Sequence, residues 1–142
     1  MKIKYPIAEV GKKNQYGYYY TDSEIDSIIQ DFKKSKRCLE GLVVHIKSTE
    51  GIKIKGSDKV NHFTRDMYLE DGFWVADIEF ANKENFNITK YLLESGKAIF
   101  RPTIFGEISM ENMIKIVKLC SIDLVPIDPH IKNFEISWKK IK

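Results

Sequence analysis

Three histidines, His45, His62 and His130, are the side chains best suited to moving protons near neutral pH. None has a second histidine, cysteine or carboxylate at a metal-ligand spacing, so neither zinc nor any other metal is expected. The phosphate-binding loop, the dinucleotide fingerprint and the strained-turn serine motif do not occur either, and no cofactor is implied. His62 lies in the alternating run Val60-Asn61-His62-Phe63 and on that context reads as a sheet or core histidine. Asp123 sits between Ile122 and Leu124, and a carboxylate in an apolar run must be paired or turned to water. Arg101 directly precedes Pro102 inside "GKAIFRPTIFGEI", a stretch that otherwise alternates like a strand. Its planar fork could take a carboxylate from Asp123, Glu107 or a neighbouring subunit, and a solvated arginine on an edge strand is the plain alternative. Cys38 follows Lys36 and Arg37, whose charges favour a thiolate. Cys38 and Cys120 lie far apart, however, and read as two reduced thiols of a chain made and folded in a cytoplasm.

These residues need a scaffold, and the composition provides for one. At 142 residues the chain fits a single domain, 1–142, with residues 130–142 as a docking tail. A chain of this size buries roughly two thirds of its unfolded surface and folds without metal or disulfide. Hydrophobic content of 43% and charged content of 30% are those of a soluble globular protein. A net charge of +3, with lysines spread along the chain and no aromatic stacking motif, argues against a nucleic-acid partner. No run of about 18 apolar residues could cross a membrane. The N-terminus "MKIKYPIAEV" lacks the apolar core of a signal peptide.

Residues 2–10 read as a first strand, followed by a turn at Asn14 and Gly17. Thr21 and Glu24 form a capping box ahead of Ile25, Ile28, Ile29 and Phe32, which share one helical face. Lys33, Lys34 and Lys36 suit the negative end of that helix. "GLVVHIKS" and "GIKIKG" read as short strands. Residues 59–80 read as a hairpin turning at Asp71-Gly72. A second helix is expected from about Asn85 to Ser95, with Ile88, Tyr91 and Leu92 on one side and Gly96 ending it. The segment around Arg101 is the next strand. Residues 112–129 give one or two more, closed by Pro126 and Pro129, and "FEISWKKIK" is a last strand or an arm. This order predicts an α+β domain with a mostly antiparallel sheet or barrel and two helices.

The order of segments resembles the tailed-phage prohead proteases, the capsid-maturation serine proteases remotely akin to herpesvirus assemblin. "NQYGYYY" before the first helix is similar to that family's Asn-Gly-x-x-Tyr stretch, and "CLEGLVVH" to its segment rich in Gly and Glu. "VNHFTRDMYLEDGFWVADIEF" is similar to its Val-Ser-His strand and hairpin, with His62 at the histidine. "ADIEFANKENFNITKYLLESGKA" and "SIDLVPIDP" follow in the family's order, so the likeness runs from about Asn14 to Pro129.

The resemblance implies a prohead-protease-like fold and a triad with His62 as general base and Asp123 as orienting group. The family's nucleophile lies in a Ser-Ser-Arg-Gly run on the strand after the second helix. Here the matching stretch is "FRPTIFGEI", with no serine between Gly96 and Ser109. Thr103 is the only hydroxyl there, and an internal threonine lacks the free amine that threonine nucleophiles use. Pro102 removes a backbone donor where an oxyanion hole should form. Arg101 takes the place of the family's arginine or falls one or two positions before it. The implied protein is a phage virion component that has lost its nucleophile. It would bind the major capsid protein or other head proteins as an auxiliary, decorating or assembly component, with the homo-oligomeric state left open. Arg101, Phe134 and Trp138 are its candidate capsid contacts. The alternative is an active maturation protease cleaving scaffold and capsid precursors.

Overall fold

The computed structural model describes residues 1–14, 17–43 and 57–127. Six strands and two helices follow one another: β1 (Lys2–Glu9), α1 (Asp22–Ser35), β2 (Leu39–Val43), β3 (Ser57–Glu70), β4 (Phe73–Phe80), α2 (Lys83–Glu94), β5 (Ala98–Ile108) and β6 (Ile114–Pro126). The strands form a sheet in the order β1-β4-β3-β2-β6-β5. All neighbours are antiparallel except β2 and β6. The expected α+β architecture is therefore present. Tyr5 of β1 and Phe100 of β5 belong to opposite edges of this order, yet their rings meet edge-to-face with centroids 5.0 Å apart. The sheet curls until its edges approach, as a barrel does.

The interior of the curl is apolar. Tyr5, Met67, Trp74, Ile78, Phe80, Phe100, Ile122 and Leu124 are all buried in one cluster. The β3–β4 hairpin turns at Asp71 and Gly72, whose φ values of 51° and 82° are those of a two-residue turn with both central residues left-handed. Helix α1 packs on β3 and β6, and α2 on β4 and β5. Ile25, Ile28 and Ile29 are buried as their spacing predicts, with Phe32 packed against the same cluster.

Three local expectations are corrected. Thr21 caps α1 by accepting from the Glu24 amide at 3.3 Å, but the Glu24 carboxylate does not complete a box. It accepts instead from the Ile116 amide at 3.0 Å, beside an irregularity in the β5–β6 ladder, and so ties the helix to the sheet. Helix α2 starts earlier than Asn85, because Asn82 serves as its cap and accepts from the Asn85 amide at 2.8 Å. That cap sets the helix phase: Thr89, Leu92 and Leu93 point inward, while Ile88 and Tyr91 are 46% and 55% exposed. The strand expected from Gly41 begins at Leu39. Residues 112–127 hold one strand, β6, which stays continuous by means of two register shifts against β5. The "GIKIKG" strand, the tail 130–142, His45 and His130 lie outside the described residues.

Candidate functional site

His62 lies on β3, opposite Gly41 on β2 and Phe80 on β4. Its side chain is fully buried. A Cβ added at Gly41 would collide with the His62 Nε2 and the Ile122 carbonyl oxygen, and would lie 2.6 Å from His62 Cδ2. The imidazole thus occupies the space left by the missing side chain and reaches across β2 to β6. A glycine inside a strand often marks such a close approach. At the far side, His62 Nε2 lies 2.6 Å from the Ile122 carbonyl oxygen, an acceptor only, so this nitrogen carries the proton. The other nitrogen, Nδ1, accepts from the Asn61 amide nitrogen at 2.9 Å. The same amide nitrogen donates to Thr89 Oγ1 on α2 at 3.3 Å. Phe100 stands edge-to-face against the ring at 4.8 Å, and Phe80 lies at 6.1 Å. Burial pushes the imidazole pKa below its ordinary value, opposed by the Ile122 hydrogen bond and the charge of Asp123.

Asp123 follows Ile122 directly, so strand alternation sends its side chain to the face away from the interior. It forms a second cluster. Oδ2 accepts from Thr103 Oγ1 and from Ser121 Oγ, both at 2.7 Å. Oδ1 accepts from the Leu42 amide at 2.9 Å, where the β2–β3 register shifts. The expectation that this carboxylate is paired holds. Arg101 is its cross-strand partner in the ladder and is half-buried.

The structure thus brings Thr103 and Asp123 together and adds Ser121, which sequence reasoning did not single out. Among the described residues, no hydroxyl is a hydrogen-bond partner of His62. A cavity of about 220 Å³ opens beside β5, lined by Tyr18, Tyr20, Arg101, Pro102, Ile104 and Ile114 among others. His62, Thr103 and Asp123 are not part of its lining. Phe134 and Trp138 lie outside the described residues. Cys38 and Cys120 are free and exposed, and Cys38 accepts from the Arg65 guanidinium at 2.7 Å. Gly41, Asn61 and Phe100 are the further members of the His62 site. Only Gly41 carried a signal, as a glycine within a β-prone run.

The fold is α+β and prohead-protease-like. The neighbour that carries this statement is the solved structure of the bacteriophage T4 capsid assembly protease, gp21. It superposes with a TM-score of 0.57 at 12% sequence identity, covering 87% of this chain and 80% of that one. At this identity the likeness is one of fold. No family model matches the chain, and no curated protein does.

Proposed function

We propose that this chain is a component of a phage head that keeps a protease-like fold without its nucleophile and acts by binding capsid subunits. The observation that carries the reading is the saturation of His62. A general base needs a lone pair facing the hydroxyl it deprotonates, within about 2.6–3.2 Å. Here the lone pair of Nδ1 is met by the Asn61 amide, and the Nε2 proton is given to the Ile122 carbonyl. The group against the ring is Phe100. If Arg101 stands at the family's arginine, Phe100 stands where the second serine would be. Thr103 spends its hydroxyl on Asp123. Binding would then fall to other side chains, with Arg101, Phe134 and Trp138 as candidate contacts with the major capsid protein or another head protein.

Two measurements test this. Mass spectrometry of purified phage particles should find the protein in many copies, and particles free of it would remove the virion role. Incubation of the purified protein with scaffold and capsid precursors should leave both intact. Cleavage that vanishes in His62→Ala would establish instead the maturation protease, with His62, Thr103 and Asp123 as its residues.

A further inference from the structure

The two edges of the sheet are built differently. β1, "KIKYPIAE", carries Lys2, Lys4 and Pro6, and its register against β4 shifts between Pro6 and Ala8. Charged side chains, proline and bulges are the means by which natural sheets keep an edge from pairing with another chain. β5, at the other edge, carries Arg101, Pro102 and Glu107, and at its two register shifts the extra residue lies on β6, so β5 itself is not bulged. Its run from Thr103 to Ile108, "TIFGEI", contains no lysine, arginine or proline. Among the described residues this run pairs only with β6. Phe105 is 70% exposed, Ile108 51%, and Met110 just beyond it fully so. An edge with this much exposed apolar surface is a template for another strand.

The charges on β5 indicate which strand. We infer that β5 pairs antiparallel with β5 of a second copy, in a two-fold dimer centred on Ile104. In that register Arg101 of each copy faces Glu107 of the other. Arg101, Thr103, Phe105 and Glu107 share one face of the strand by alternation. Thr103 then faces Phe105 across the dyad, and the two Phe105 rings become diagonal neighbours, within reach of each other. On the other face Pro102 lies opposite Gly106, the residue without a side chain, and Ile104 meets itself. Shifting the centre to Thr103 sets Arg101 opposite Phe105, and shifting it to Phe105 sets Arg101 opposite Ser109. Only the Ile104 register matches both charges. A two-fold interface requires this self-complementarity.

Sedimentation equilibrium of the full chain tests the pairing, with circular dichroism to confirm that each variant is folded. The wild type should show a reversible monomer–dimer equilibrium. Arg101→Glu and Glu107→Arg should each weaken it by about tenfold, since two attractive pairs become two like-charge pairs. The double variant should restore most of the lost affinity, and Phe105→Lys should weaken dimerisation at least as much as either single charge reversal. A wild type that stays monomeric throughout the accessible concentration range overturns the proposal, whatever else then covers the edge. So does a dimer indifferent to Phe105→Lys, or one weakened by both single reversals but not restored by the double. None of these outcomes depends on whether the protein enters phage heads.

Discussion

Replacing Gly41 by alanine adds one methyl group at the point where three strands are most closely coupled. That methyl would collide with both His62 Nε2 and the Ile122 carbonyl oxygen, and neither can withdraw freely. The carbonyl belongs to the β6 backbone, and the fully buried imidazole is hemmed in by Phe100 and Phe80. The ring must swing away from Ile122. A buried N–H and its carbonyl are then left unsatisfied, which costs about 1–3 kcal/mol. Forcing the extra carbon into a packed interior costs about 1–3 kcal/mol more. The expected loss is about 4 kcal/mol, a large share of the roughly 5–15 kcal/mol that holds a domain together. Urea denaturation followed by tryptophan fluorescence would read it as a lower midpoint at unchanged slope. In Gly41→Ala,His62→Ala one of the two obstacles is gone, so the alanine at position 41 should cost at least about 1 kcal/mol less than in the wild-type background. A Gly41→Ala loss below about 1 kcal/mol, or strict additivity in the double variant, would refute the bridging role of the imidazole.

The depressed pKa of His62 makes stability depend on pH in a defined direction. The unfolded chain takes up a proton as pH falls below about 6.5, whereas the folded chain keeps the imidazole neutral. Stability should therefore decline from that pH downward until the folded pKa is reached, with a slope of at most about 1.4 kcal/mol per pH unit. Chemical denaturation at several pH values should show this slope in the wild type and its loss in a folded His62→Gln, and a flat wild-type profile would contradict the assignment. Asp123→Ala should cost about 2–3 kcal/mol, because it leaves the Leu42 amide without its acceptor and frees the Thr103 and Ser121 hydroxyls. Asp123→Asn should cost less, since the amide oxygen can still accept from Leu42. Hydrogen exchange at the Leu42 amide should be faster in Asp123→Ala than in Asp123→Asn, and equal rates would show that the carboxylate does not hold it.

Much of the fold was legible because it follows from short-range chemistry. Thr21 ahead of Ile25, Ile28 and Ile29 announces α1, and Asp71-Gly72 between alternating runs announces the β3–β4 turn. The inward face of α2 is not the one its most apolar residues suggest, for a physical reason. Ile88 and Tyr91 are the more apolar residues, but the cap at Asn82 fixes the phase, and the helix buries Thr89, whose hydroxyl is met by Asn61. The site was legible only in its members taken singly. His62 and Asp123 stand out as a polar residue on an alternating strand and a charge in an apolar run. That they leave β3 and β6 toward different sides depends on Gly41, on the position of β2 between them, and on the adjacency of Ile122 and Asp123. Such relations belong to the sheet order rather than to any window of sequence.

The two clusters have a common beneficiary in β2. This strand is five residues long, and its parallel pairing with β6 consists of one register pair, Val43 with Leu124. A ladder so short provides little of the hydrogen bonding that aligns neighbouring strands, and parallel pairing is the weaker kind. Side chains make up the difference from both faces. Over the interior face His62 spans from β3 to the Ile122 carbonyl, passing above Gly41. On the other face Asp123 of β6 takes the Leu42 amide, next in sequence, which the register shift leaves out of the ladder. Leu42 is thus held by the Asp123 carboxylate, and Gly41 beside it lies beneath the bond between His62 and the Ile122 carbonyl. In this arrangement His62 and Asp123 each have structural work. It also accounts for the burial of the histidine, whose ring spans from β3 to β6 over Gly41.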